Sequence, residues 1–311
     1  MTRVVCIGEC MVELSARPDG AYARGFAGDA YNTAVHLKRL APDIAVQFAT
    51  VTGDDELSTA MRQAWVGEGI DGSLARRAAG LSPGLYMVDT DEAGDRRFTY
   101  WRGQSAARRW LPALEAQADR LAGADLLFFT GVSLAILPPD ERGRAIELID
   151  RLKSSIGLFA FDPNIRASLW ESQAAMQEIC EAAIGRADIL LPSLADAEHL
   201  WGKASPEAQL RLGRALGAGE IALTLGAEGC LVASGDGDMT RLAAAPRTVV
   251  DSAGAGDAFD GAYLAARLRG EPPPAAAQAG LTLAARVIGS RGALPSAAEL
   301  AGPGAASGGK P

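Results

Sequence analysis

The residues best suited to chemistry lie late in the chain, in the run 249–259, VVDSAGAGDAF. A strand-like pair of valines leads into a turn of small residues. An apolar, helix-patterned stretch follows over residues 259–268. Amides at a helix start, in a turn without bulky side chains, form an anion site. Ala253, Gly254, Ala255 and Gly256 would supply those amides. Asp257 falls in the first turn of the helix. A carboxylate there has two readings, and residue types alone leave both open. One is a cap or helix-dipole partner, the commoner case. The other is a general base aimed at whatever the anion hole holds.

What the chain lacks narrows the chemistry further. The two histidines, His36 and His199, cannot make an HExxH or multi-His zinc site and are a poor basis for histidine acid–base catalysis. The four lysines, Lys38, Lys153, Lys203 and Lys310, sit in no catalytic pattern, which counts against Schiff-base chemistry. There is no GxxxxGK[ST] loop, and no GxGxxG fingerprint follows the first strand-like run. A P-loop enzyme and a dinucleotide oxidoreductase are therefore set aside. The net charge is −8, so no basic surplus exists to attract nucleic acid or an anionic membrane. An anionic ligand must be held by local cations or backbone amides.

Cys6, Cys10, Cys180 and Cys230 form no CxxC pair and read as reduced, packed thiols. The opening MTRVVCIGEC reaches an acid at Glu9 and does not read as a signal peptide. Apolar stretches are broken by Gly or Pro and are too short to span a bilayer. A cytoplasmic location is expected.

Elements that position these residues follow from periodicity. Short apolar runs at 4–7, 46–51, 126–129, 158–161, 189–191 and 221–225 read as strands. Helical patterns lie between them, at 31–40, 57–66, 140–152, 176–184 and 206–216. This alternation predicts an α/β fold, a mainly parallel sheet with helices on both faces and ligands at the strands' carboxyl ends. Two segments break the rhythm. Residues 85–90 and 97–102 form a hairpin around Asp91-Glu92-Ala93-Gly94-Asp95, and residues 13–28 show little helical period. Together they predict a small β-layer projecting from the main sheet. The last residues, AGPGAASGGKP, read as a loose tail.

DSAGAGDAF resembles the GAGD signature of the ribokinase-type (PfkB) sugar kinases, usually D-[ST]-[ST]-G-A-G-D-x-F. Ala253 stands where a hydroxyl residue is common. Further resemblances run along nearly the whole chain. Gly28-Asp29-Ala30-Tyr31-Asn32-Thr33-Ala34 is similar to the family's GG-x-x-x-N-x-A, with Ala27 in place of the first Gly. Thr224-Leu225-Gly226-Ala227-Glu228-Gly229 resembles its nucleotide strand and turn. Gly8 to Leu14, Pro83 to Tyr86, Tyr100 to Arg102, Ser105 to Arg108, Asp162 to Arg166 and Leu169-Trp170 resemble the branch that phosphorylates 2-keto-3-deoxygluconate.

The resemblance implies a ribokinase-like three-layer αβα domain over residues 1–298. A β-lid would come from about 11–27 and 83–103, with a flexible tail at 299–311. It implies ATP and Mg²⁺, a small sugar-acid acceptor, Asp257 as base, and Ala253, Gly254, Ala255 and Gly256 as anion hole. Gly28, Asn32, Tyr86, Tyr100, Arg102 and Arg166 would line the sugar-acid site. Asn164, Arg166, Thr224, Gly226, Gly229, Gly254 and Gly256 would meet ATP. A monovalent cation near Asp251 and a homo-oligomer are left open.

The chemistry of the residues fits. Tyr100 and Arg102 are two apart on a strand and share a face, with Trp101 opposite. Arg binds a carboxylate through two parallel hydrogen bonds, though a solvated strand-end Arg is the alternative. Asp162 reads equally as an Asx-turn residue or an active-site neighbour. The helix dipole at Asp257 is expected to lower its pKa. The family's N-x-x-E is altered to Ser193-Leu194-Ala195-Asp196, which leaves Asp196 a weak candidate for holding Mg²⁺ through water. The competing functions are a kinase of a neutral sugar such as fructose, and a catalytically silent sugar- or nucleotide-binding protein.

Overall fold

Alternation along each central strand sends its side chains to two opposite faces, and both faces are covered by helices. The computed structural model describes residues 1–17, 19–90, 96–235, 239–296 and 299–300. In chain order the strands are β1 (Arg3–Ile7), β2 (Met11–Ala16), β3 (Tyr22–Ala27), β4 (Ala45–Ala49), β5 (Val51–Thr52), β6 (Arg76–Arg77), β7 (Leu85–Thr90) and β8 (Arg96–Trp101). They continue as β9 (Leu126–Thr130), β10 (Leu158–Asp162), β11 (Ile189–Leu190), β12 (Glu220–Thr224), β13 (Cys230–Ser234) and β14 (Met239–Leu242). The helices are α1 (Asp29–Leu40), α2 (Glu56–Gly67), α3 (Trp110–Glu115), α4 (Gly131–Ala135) and α5 (Pro139–Leu152), then α6 (Gln173–Ile184), α7 (Leu194–Trp201), α8 (Pro206–Ala215), α9 (Ala255–Leu268) and α10 (Pro273–Val287).

The large sheet has the order β14-β13-β12-β11-β10-β9-β1-β4. Its members from β4 to β12 pair in parallel, and the β12-β13-β14 edge is antiparallel. Val5, Ile7, Leu127, Phe129, Phe159 and Phe161 pack under the helices α3 to α8. Their neighbours Val4, Cys6, Leu126, Phe128 and Ala160 pack under α1, α2, α9 and α10. A strand buried on both faces has no polar alternation, which is why these segments read as unbroken apolar runs. All four cysteines are buried free thiols. Among the described residues no helix is long and apolar enough to cross a membrane.

A second sheet, β3-β2-β7-β8, stands apart from the first. It joins two antiparallel pairs through a parallel β2–β7 contact. This is the projecting β-layer expected from residues 11–27 and 83–103. The turn at 91–95 and the tail beyond residue 300 lie outside the described residues.

Asp55, Thr130, Ser172, Ser193 and Ser205 cap α2, α4, α6, α7 and α8 with their side chains. By contrast α1 and α9 begin on Gly28 and Gly254, which have no side chain to cap with; in α1 Asp29 instead takes the Ala30 amide at 2.8 Å. These two helices pack closely because Gly261 has no side chain: a Cβ there would lie 2.7 Å from His36 Cβ and 2.9 Å from the Thr33 carbonyl oxygen. That approach sets the N-termini of α1 and α9 side by side at the carboxyl end of the sheet.

Candidate active site

A cleft of about 1610 Å³ runs along the carboxyl ends of the parallel strands, between the large sheet and the small one. Asp257 sits on its floor, in the first turn of α9. Gly254 precedes the helix with φ +74°, and a Cβ there would lie 2.6 Å from the Ala293 carbonyl oxygen. Only glycine turns the chain at that point. The hole is narrower than the sequence suggested. The Ala253 amide donates to Asp251 Oδ1 at 3.0 Å, so it is spent within the turn. Ala255 reaches the Ser252 carbonyl only at 3.4 Å. Gly254, Ala255 and Gly256 line the cleft, and α9's first-turn amides have no helical partner.

The Asp257 carboxylate accepts a hydrogen bond from Asn32 Nδ2 at 2.7 Å, and the Thr33 hydroxyl bonds its carbonyl at 3.3 Å. Asn32 thus holds the candidate base. The expectation of a lowered pKa is overturned. Burial, followed by the nearby Asp29 carboxylate, pushes Asp257 up to about 7; the Asn32 bond and Arg166 pull only partly against this. The carboxyl opens to the cleft yet lies deep beneath the surface. Desolvation there outweighs a helix dipole.

Asp29, unsuspected from sequence, is the hub of this end. Its Oδ2 accepts from Thr130 Oγ1 at 2.6 Å and from Asn164 Nδ2 at 2.7 Å, tying α1 to the loops after β9 and β10. Asn164 has φ +33°, the one non-glycine positive φ among the described residues. Asp162 makes an Asx turn to the Asn164 amide at 2.9 Å and lines the cleft, so both readings of it hold. Asp260, one turn beyond Asp257, faces Asp162. Burial raises both carboxyls well above the usual range, aided for Asp162 by the charges of Asp196, Asp29 and Asp257 and for Asp260 by those of Asp162 and Asp257. Arg166 is exposed on the cleft wall, its guanidinium near enough to Asp257 to oppose that rise.

Toward the small sheet the cleft changes character. Arg102 Nη2 lies 2.5 Å from Glu9 Oε2, and both side chains are largely buried. The Ser105 hydroxyl donates to the other Glu9 oxygen. Arg102 is therefore a paired, largely buried cation rather than a solvated strand-end Arg. The Tyr86 hydroxyl donates to Glu13, which also receives the Ser15 hydroxyl at 2.9 Å. The rings of Tyr86 and Tyr100 stand 5.6 Å apart, and the Arg102 guanidinium lies 5.9 Å from the Tyr100 ring centre. Trp101 points away from the cleft and is exposed. Gly28 lines the cleft, but its lack of a side chain serves the protein: a Cβ would come 2.1 Å from the Glu9 carbonyl oxygen. Glu9 and Glu13 carried one faint signal in the sequence, acids interrupting apolar strand runs.

At the far end Thr224 lines the cleft, whereas Gly226 and Gly229 sit outside its wall. A Cβ on Gly229 would clash with the Leu242 carbonyl oxygen at 1.9 Å, so that glycine lets the turn before β13 approach the end of β14. Asp196 is not poised for a metal's water shell. Its oxygens accept from the Ile165 amide at 2.6 Å, the Ser193 amide at 2.9 Å and the Ser193 hydroxyl at 2.5 Å. It closes a capping box on α7. Asp251 likewise accepts from two backbone amides, Ala253 and Gly292. Among the described residues no group of three or more acidic, His or Cys side chains is arranged to hold a metal ion.

A carboxylate beside open helix amides, in a cleft whose two ends are lined differently, is an arrangement that phosphoryl transfer could use. Known proteins agree. The pattern of the pfkB family carbohydrate kinases matches residues 1–299. The chain is 37% identical over 300 residues to a 2-dehydro-3-deoxygluconokinase of Escherichia coli K12, covering 94% of this chain and 96% of that protein. It is 36% identical to the Dickeya dadantii protein of the same name, with 94% and 96% covered. A PfkB protein from Polaromonas superposes with TM-score 0.83 at 30% identity, covering 96% of this chain and 99% of that one. A double mutant of Vibrio cholerae fructokinase, with fructose, ADP and potassium bound, superposes with TM-score 0.83 at 26% identity, with 96% and 97% covered. The fold is ribokinase-like, and the chain belongs to the pfkB family of carbohydrate kinases.

Proposed function

We propose that this kinase transfers the γ-phosphoryl group of ATP to the primary 6-hydroxyl of 2-keto-3-deoxygluconate. The observation that carries the reading is Asp257, set beside the open first turn of α9 and held by Asn32 at 2.7 Å. The acceptor identity is supported by full-length relatives named 2-dehydro-3-deoxygluconokinase, at 30–37% identity.

In this reading the acceptor oxygen attacks the γ-phosphorus, the bond to the bridging oxygen breaks, and ADP leaves with that electron pair. Asp257 takes the acceptor's proton as bond formation acidifies it. A base whose pKa lies near the working pH suits that task. Amides of Gly254 and Gly256, with Arg166, offset charge on the transferred group. Mg²⁺ accompanies the ATP phosphates and neutralises part of their charge. Thr224 and Asn164 flank the nucleotide. Tyr86, Tyr100 and Arg102 receive the sugar acid under the small sheet, which acts as a lid on a single domain over residues 1–298. Excluding water there protects ATP from hydrolysis.

Glu9 and Glu13 favour a second reading, a neutral acceptor such as fructose, because they already occupy Arg102 and Tyr86. The deciding test is product analysis with ATP, Mg²⁺ and 2-keto-3-deoxygluconate. One ADP should form per 6-phosphorylated acid. Absence of acid-dependent ADP overturns the assignment.

A further inference from the structure

We propose that Glu9 is a positioning residue: through Arg102 it fixes how the acceptor's carboxylate is received, without touching the acceptor itself. The inference rests on the sugar-acid reading above. Glu9 follows β1, a central strand, and its side chain is only 1% exposed. Three residues from two chain segments converge on it. Arg102, just beyond β8, brings Nη2 to 2.5 Å from Oε2. The Ser105 hydroxyl donates to Oε1. Gly84, just before β7, gives way to it: a Cβ there would lie 2.8 Å from Glu9 Oε1 and 3.2 Å from Arg102 Cβ.

A buried carboxylate is costly unless paired, and an Arg side chain has many rotamers to lose on binding a ligand. The Glu9–Arg102 pair answers both needs at once. It restricts the guanidinium to one orientation before the acceptor arrives, so less ordering remains to oppose binding. It also ties the small sheet to the large one at the cleft. Arg102 Nε and Glu9 Oε2 are both buried and neither makes a hydrogen bond of good geometry among the described residues, so Oε2 meets Arg102 Nη2 as a close charge contact while Oε1 is held by Ser105. The pair carries no net charge. Its contribution to anion recognition is thus direction and donor geometry rather than bulk positive potential, which Glu9 cancels.

The test is a double-mutant cycle on the full-length protein with saturating MgATP. Glu9→Gln keeps the side chain's volume and a partner for Ser105 but removes the charge. It should raise KM for 2-keto-3-deoxygluconate by ~10-fold or more while KM for ATP stays within about twofold. In an Arg102→Ala background the same change should add almost nothing, because the residue it acts through is gone. An unchanged acceptor KM, or a full additive effect in that background, overturns the proposal. Glu9→Asp, which keeps the charge at shorter reach, serves if Glu9→Gln fails to fold. It too should raise acceptor KM, and wild-type KM would overturn the proposal. The wild-type enzyme separates the two claims. If it prefers fructose to the acid, the acceptor reading falls and takes this one with it. If it prefers the acid and the Glu9 variants behave like wild type, only the Glu9 role falls.

Discussion

The two ends of the cleft handle charge in opposite ways. At the transfer end, carboxyls crowd together: Asp257, Asp29, Asp162 and Asp260 line one floor, and the pKa values of Asp257, Asp162 and Asp260 are raised. At the acceptor end, each acid has its own partner, Glu9 with Arg102 and Glu13 with Tyr86; burial raises Glu9 as well, and there the Arg102 charge and the Ser105 hydroxyl pull against the rise. The first arrangement stores proton affinity where a proton must be taken up. The second fixes side chains where a ligand must be read. The transfer end rests on helix starts and strand ends of the large sheet, and the acceptor end on cross-strand neighbours of the small one. In the proposed reading, chemistry and recognition are thus built largely on separate layers, which the Glu9–Arg102 pair ties together at the cleft.

The sharpest way to break this contrast is Asp257→Asn. It should lower kcat by ~10²-fold or more in a steady-state ADP-release assay. Near wild-type kcat would reduce Asp257 to a cap. The same variant has a stability signature of defined sign. The folded-state pKa of about 7 lies above the ordinary 3.8. Stability from this group is therefore fully present below about 3.8 and lost as pH rises toward 7. Asp257→Asn should be more stable than wild type at pH 8, by up to ~4 kcal/mol, with the gain shrinking toward pH 4 in urea titrations. A pH-independent difference would contradict a desolvated carboxylate.

Next in size is Arg102→Ala. It should raise acceptor KM by ~30-fold or more and leave ATP affinity nearly unchanged, with Arg102→Lys recovering only part. Equal losses for charged and neutral acceptors would make Arg102 a lid tether and pass carboxylate recognition to Arg166.

The parallel sheet, its helices and the small β-layer were legible because their periods differ: unbroken apolar runs, helical spacing, and a hairpin turn. The GAGD segment was legible because small residues and one acid at a helix start have few uses. Pairings across 93 to 225 residues were not. Nothing local announces that Ser105 and Arg102 meet Glu9, or that Asn32 reaches Asp257. The pKa of Asp257 was misjudged for the same reason. Its position on the helix is visible in the sequence, whereas its depth and its neighbour Asp29 come only with the fold. Asp196 was weighed as a metal neighbour, but its partners Ile165 and Ser193 make it a cap.

Two smaller effects sharpen the account. Asp29→Asn should move the acid limb of the kcat/KM–pH profile downward by on the order of one unit, since a like charge beside Asp257 is removed. An unmoved limb would mean that burial alone sets the base. Ser193→Ala should cost ~1 kcal/mol of stability through the lost α7 cap, with KM for Mg²⁺ unchanged. A clear rise in that KM would return Asp196 to the metal's water shell.

The central claim is that the acceptor end reads an acid while the transfer end moves the phosphoryl group. Its most direct test is kcat/KM for 2-keto-3-deoxygluconate against fructose, measured side by side in a coupled ADP-release assay with MgATP. A preference for the acid of at least ~10²-fold, about 2.7 kcal/mol in transition-state binding, is the expected result. Equal or better turnover of fructose would contradict it.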